Sequence, residues 1–124
     1  YDIKGPILIS EMHIDKIKKN ILKEFSYKKI SPFPSIKRDI SILLKKEVQS
    51  ADIIDYIYHE SDNLLIDANV FDVYSGKELD GDSKSLAISL LFQSEEKTLV
   101  DQDVDGRMSL ILKKLKTKFG AVQR

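Results

Sequence analysis

Between Ser85 and Phe92 the large apolar residues Leu86, Ile88, Leu90 and Phe92 alternate with Ser85, Ala87, Ser89 and Leu91. Successive side chains of a strand point to opposite faces, so this segment is a strand with one buried face, and the rest of the chain must supply a layer to cover it. The same period recurs where Ile40, Ile42 and Leu44 alternate with Asp39, Ser41 and Leu43. Helical spacing appears between and after these strands. Ile53, Ile54, Ile57 and Tyr58 form a stripe behind Ser50, the expected N-cap, with Asp52 in the first turn. Val104, Met108, Ile111, Leu115 and Phe119 form a longer stripe, capped at its start by Asp101 or Thr98 and stopped by Gly120. The span Leu64 to Tyr74 is rich in β-branched and aromatic residues until Ser75-Gly76 ends it, and the last few residues have room for a short fourth strand.

The order is strand, helix, strand, strand, helix, strand. Right-handed crossovers then place both helices on one face of an antiparallel sheet, an α+β sandwich of ferredoxin-like βαββαβ topology. Ahead of it, Pro6 to Met12 predicts a short strand, and Ile14, Ile17 and Ile21 predict a brief helix. Pro32 and Pro34 impose extended backbone on the stretch Ser26 to Ser35. The expected organisation is an N-terminal strand and helix extension over 1–25, a linker over 26–35 and one domain over 36–124. A chain of 124 residues has room for one such core. Tyr1 stands where Met would begin a primary product and no leader pattern follows, so a segment of a longer polypeptide is expected. The absence of Cys excludes disulfide frameworks, thiolate metal sites and cysteine nucleophiles, and fits the cytoplasm. No apolar run approaches the roughly 20 residues that span a bilayer, so no membrane partner is expected.

Strand parity makes one functional suggestion. With Ile40, Ile42, Leu44, Leu86, Ile88, Leu90 and Phe92 turned toward the helices, Asp39, Ser41, Ser85, Ala87 and Ser89 face outward. On the strand ending at Tyr74, Phe71 and Val73 are the expected core pair, which sends Asp72 and Tyr74 outward. An aromatic, an acid and small hydroxyls on an open sheet face suit single-stranded nucleic acid. A Tyr stacks on any base, and a carboxylate accepts from base N–H groups. Twenty basic residues balance twenty acidic ones, so there is no global attraction to phosphate. Basic residues do gather locally, at Lys28, Lys29, Lys37 and Arg38 and at Lys113, Lys114, Lys116 and Lys118.

Four ordered blocks carry a family resemblance. Phe33-Pro34-Ser35-Ile36-Lys37-Arg38-Asp39-Ile40 resembles a Phe-Pro-x-x-Arg-Arg-Asp-Ile opening, with Lys37 in place of the first Arg. Phe71-Asp72-Val73-Tyr74-Ser75-Gly76 resembles Phe-Asp-Val-Tyr-Arg-Gly, with Ser75 in place of Arg. Lys84-Ser85-Leu86-Ala87 follows, then Gln93, Thr98-Leu99 and Phe119-Gly120-Ala121. Together they are similar to the C-terminal ferredoxin-fold anticodon-binding module of bacterial phenylalanyl-tRNA synthetase beta subunits. The resemblance implies a module that binds the anticodon stem-loop of phenylalanine tRNA through Asp72, Tyr74, Ser85 and Arg124; the local basic cluster adds Lys37 and Arg38 as expected phosphate contacts. It implies as partners the remainder of a beta subunit and an alpha subunit in an α2β2 heterotetramer. ATP and magnesium would then belong to the whole ligase, and no cofactor to this segment. It also likens Gly5 to His13 to the closing strand of a preceding module. The missing Arg at Ser75 removes one phosphate contact.

Other chemistries find less support. Asp101-Gln102-Asp103-Val104-Asp105-Gly106 copies the first half of a calcium loop, but Leu112 stands where the bidentate Glu belongs; an acidic first helical turn explains the same residues. His13 and His59 lack companion ligands, and no Ser/His/Asp grouping, P-loop or dinucleotide glycine pattern occurs. A small-molecule regulatory module of the same topology needs a glycine-bearing loop where Lys45-Lys46-Glu47-Val48-Gln49 stands, and an acylphosphatase-like hydrolase needs an arginine there. A general RNA-recognition domain needs aromatics within Ser85 to Phe92 that the strand does not carry.

Overall fold

The computed structural model describes residues 5–19, 27, 29–76, 79 and 81–124. Its elements are α1 (Ile14–Lys19), β1 (Ile36–Lys45), α2 (Ser50–Glu60), β2 (Leu65–Tyr74), β3 (Ser83–Phe92), α3 (Asp101–Phe119) and β4 (Val122–Gln123). The four strands form one antiparallel sheet in the order β2-β3-β1-β4, the ferredoxin-like arrangement that the alternation of periods predicts. Each central strand sends its even-numbered apolar residues to the helices. Ile40, Ile42 and Leu44 of β1 and Leu86, Ile88, Leu90 and Phe92 of β3 are buried with Ile53 and Ile57 of α2 and Val104, Ile111 and Leu115 of α3. Tyr56 and Phe119 meet edge to face at 5.3 Å and join the two helices.

Several local expectations are corrected. Pro6 to Met12 carry no strand, because a strand needs a ladder partner and none of the sheet pairings reaches this stretch; Leu8 is fully exposed at 100%. Ile21, Ser26 and Lys28 lie outside the described residues. Ser50 is the first helical residue of α2 rather than its cap. Gln49 takes that place, its carbonyl accepting from the Ile53 N–H at 3.4 Å. Tyr58 is half exposed rather than part of the core stripe. Its hydroxyl accepts from the Ala68 N–H at 2.8 Å and donates to Asp67 Oδ1 at 3.2 Å, tying α2 to edge strand β2.

Helix α3 is capped by neither predicted residue: its N-cap lies one residue before Asp101 and two after Thr98. Val100 is the N-cap and has no side-chain acceptor to offer, so Asp103 reaches back to accept its N–H at 3.1 Å while Lys97 Nζ donates to both carboxylate oxygens at 3.1 Å. At the other end Gly120 adopts φ 67°, where a Cβ would be strained, and its N–H donates to the Lys116 carbonyl at 3.0 Å. The calcium-like segment is thus the first turns of a helix, with Asp103 engaged in capping and Asp101 facing Arg38.

These contacts predict an acid response. The Val100 N–H first, then Lys97, hold the Asp103 carboxyl below its ordinary value. Lys114 first, then His59, do the same for Glu60, which sits 2.7 Å from Lys114 Nζ. A depressed folded-state pKa means that the unfolded chain binds protons more tightly. The stabilisation is therefore complete above the ordinary carboxyl values of about 4 and disappears as pH falls through the folded values. The urea midpoint should drop on acidification below about pH 4.5, and Asp103→Asn with Glu60→Gln should flatten that drop. An unchanged pH profile in the double variant would show that these carboxylates do not couple to folding.

Candidate nucleic-acid interface

The sheet face opposite the helices holds a shallow depression of about 310 Å³ lined by Ser41, Asp72, Tyr74, Ser85, Ala87 and Arg124. Ladder register brings these residues together. Tyr74 lies opposite Ser85, Asp72 opposite Ala87, and Ala87 in turn opposite Ser41. In an antiparallel pair, directly opposed residues share a face, so three strands contribute to one patch. Arg124 reaches it because its N–H donates to the Ser41 carbonyl at 2.9 Å, extending the β4 ladder past Gln123.

Asp72 and Tyr74 face outward as expected, but for a different reason. Simple alternation from Val70, which opposes the buried Ile88, would turn both under the helices. The register shifts between Val70 and Asp72, so Phe71 is an extra residue in β2 and the parity behind it is reversed. The expected core pair is corrected accordingly. Phe71 is 56% exposed, and Val73, though opposite the buried Leu86, is 54% exposed at the uncovered end of the sheet. A second shift between Leu65 and Asp67 restores Leu65 and Ala68 to the helix side, where both are buried.

Ser85 lies on the open face, as strand parity predicts, yet only 6% of it is exposed, because larger neighbours flank it. Its Oγ is 3.1 Å from Ser41 Oγ, with either able to donate. One hydroxyl proton closes that bond and the other remains to be directed into the depression, so the pair can meet an acceptor or a donor. Tyr74 is 40% exposed, and its ring lies against Gly76. A Cβ at position 76 would overlap Tyr74 Oη and Cζ and lie 2.7 Å from Cε1, nearer than real Cβ contacts come. Gly76 is therefore the seat of the Tyr74 ring.

The basic pair divides between the two faces. Lys37, opposite Leu91, lies on the open face, with its Nζ 3.6 Å from Asp39 Oδ1 and 5.9 Å from the centre of the Phe71 ring. Arg38, opposite the buried Leu90, lies on the helix side. Its Nη2 donates to Asp101 Oδ1 and sits 3.8 Å from Asp105 Oδ1. Lys37 and Arg38 thus stand on opposite faces of β1, because a one-residue step along a strand reverses the face. Ser41 and Ala87 were legible as outward positions, whereas Gly76 and Phe71 carried no signal of proximity to the site.

No cluster of three or more His, Cys, Asp or Glu side chains suited to a metal occurs among the described residues, and no helix among them is long and apolar enough to cross a membrane. Residues 31–124 match the family model of the ferredoxin-fold anticodon binding domain. The chain is 40% identical over 124 residues to the phenylalanine–tRNA ligase beta subunit of Carboxydothermus hydrogenoformans, aligning over its whole length to 16% of that protein. It is 39% identical over 125 residues to the beta subunit of Bacteroides fragilis, covering 15% of it, and 40% identical over 121 residues to that of Francisella tularensis, also covering 15%. The chain thus spans about a sixth of the length of the curated relatives it matches.

Proposed function

The chain belongs to the ferredoxin-fold anticodon binding domain family, and from that premise we propose that it holds the anticodon loop of phenylalanine tRNA on the open face of its sheet. The observation that carries this reading is the convergence of Asp72, Tyr74, Ser85 and Arg124 from separate strands and the chain end on one depression. Tyr74 offers a base a stacking surface, and Asp72 accepts from base N–H groups. The Ser41–Ser85 pair supplies a small polar floor, and Arg124 meets a phosphate or a base carbonyl.

On this reading the segment is the C-terminal part of a cytoplasmic phenylalanine–tRNA ligase beta subunit, which works with an alpha subunit in an α2β2 assembly. Attachment of phenylalanine, with its ATP and magnesium, takes place elsewhere in that assembly. The donor set here does not fit those groups: Asp101 and Asp105 face Arg38, and Asp103 holds Val100 and Lys97. The exposed apolar run Ile7 to Ile9 is consistent with residues 1–25 completing a neighbouring module, with 26–35 as the linker.

Titrating the 124-residue chain with the phenylalanine tRNA anticodon stem-loop tests the reading. Amide shifts should concentrate at Ser41, Asp72, Tyr74, Ser85, Ala87 and Arg124; shifts confined to α2 and α3 would overturn it. Among the described residues few cations face this side, Lys37 and Arg124 being two of them, so salt dependence should be shallow, at about 0.7 in log-log slope per phosphate for single strands. Lys37→Ala should flatten the slope by about that amount, the share of a single phosphate. Arg38→Ala should leave it unchanged, because Arg38 lies across the sheet.

A further inference from the structure

We propose that Phe71 is a second base-stacking residue, with Lys37 beside it to receive an adjoining phosphate, so that the open face holds two nucleotides rather than one. The proposal rests on the reading that this face binds RNA. Its own ground is the bulge in β2. Val70 opposes Ile88 and Asp72 opposes Ala87, so Phe71 has no ladder partner of its own. A bulge of this kind turns the extra residue and its successor to the same side. That side is the one Asp72 shares with the depression, and Lys37, an open-face residue, has its ammonium 5.9 Å from the Phe71 ring.

The Phe71 ring stands outside the core. More than half of this side chain is in water, while Val70 beside it packs against the core. An ordinary edge position would place a polar or charged residue there, as β2 does at Asp67 and Asn69. Phe71 lies along β2 from Tyr74 by roughly 7–10 Å at the usual rise per residue, with Asp72 between them. Two aromatic faces flanking a carboxylate suit splayed, unstacked bases, each held on its own ring while the carboxylate reads an edge. Phe71 has no hydrogen-bonding group, so it would accept any base and add affinity rather than selectivity. Lys37 carries three rotatable donors on a flexible stem and is exposed, so its ammonium is able to turn from its place over the ring to a phosphate.

The test uses the 124-residue chain and the phenylalanine tRNA anticodon stem-loop, with a fluorescent adenine analogue placed at one loop position at a time. In the parent, two positions should change emission on binding. Phe71→Ala should release one and Tyr74→Ala the other. Phe71→Ala should also weaken binding by about 5- to 150-fold, the range for one stacked base, as should Phe71→Leu, whereas Phe71→Trp should bind like the parent. The thermal midpoint of Phe71→Ala should stay within a few degrees of the parent, since the ring is outside the core. Parent-like affinity of Phe71→Ala, with Tyr74→Ala weakened, would overturn the second platform and leave the anticodon reading standing. A short unstructured RNA provides the converse arm. If it binds and Phe71→Ala abolishes that binding while the stem-loop does not bind, the anticodon reading fails and the platform survives; if neither RNA binds, both fail.

Discussion

Tyr74→Ala should weaken anticodon stem-loop binding by about 1–3 kcal/mol with little change in salt slope, because the stacking on one base disappears and no phosphate contact is touched. The structure adds a way to separate the ring from its placement. Gly76 leaves the space in which the Tyr74 ring rests, and any side chain there must displace it. A ring that is 40% exposed can swing away at small cost to folding. Gly76→Ala should therefore lower RNA affinity in the manner of Tyr74→Ala while leaving the thermal midpoint nearly unchanged. Tyr74→Phe, which keeps the stacking face, should bind close to the parent. If Gly76 acts only through the ring, adding Gly76→Ala to Tyr74→Ala should cost nothing more, since two changes to one interaction do not add. Calorimetric titrations of the four variants decide the matter, and a parent-like Tyr74→Ala would remove Tyr74 from the interface.

The second expectation concerns the core. Phe92 is 1% exposed and opposes Ile36 on β1 and Leu65 on β2, so it joins three strands at the end of the sheet under α3. Phe92→Ala should cost about 3–5 kcal/mol through reduced burial and the cavity left behind. That is a large share of the roughly 5–15 kcal/mol that holds a typical domain together. The thermal midpoint should fall by roughly 10–30 °C. Phe71→Ala, which removes the same side chain from the same sheet, should barely move it. A midpoint shift below about 5 °C for Phe92→Ala would contradict its place in the core.

Much of this was written in residue order. Alternation over Asp39 to Leu44 and Ser85 to Phe92 is a local property of the chain, and it assigned a face to every residue of the central strands because they run without a break. Helical stripes in α2 and α3 and the stop at Gly120 are local in the same sense, since a 3.6-residue period and a left-handed cap depend on neighbours in sequence. The order of these elements was enough for the topology. Motif resemblance brought Asp72, Tyr74, Ser85 and Arg124 together, although nothing in their spacing says that a residue at the chain end should lie beside Ser41.

What residue order left open was settled by contacts between distant segments. The bulge at Phe71 exists because Val70 pairs with Ile88 while Tyr74 pairs with Ser85. Both pairings together require one more residue on β2 than on β3, a mismatch invisible from either strand alone. The same cause moved Phe71 from the core to the open face. The caps fell at Gln49 and Val100, not at Ser50 and at Asp101 or Thr98, because the two residues are placed by the packing around them, with Asp103 supplying the missing acceptor. Arg38 meets Asp101 because α3 starts above it on the helix side of β1. Pro6 to Met12 had the composition of a strand and no partner among the described residues, and a strand is stable only against another.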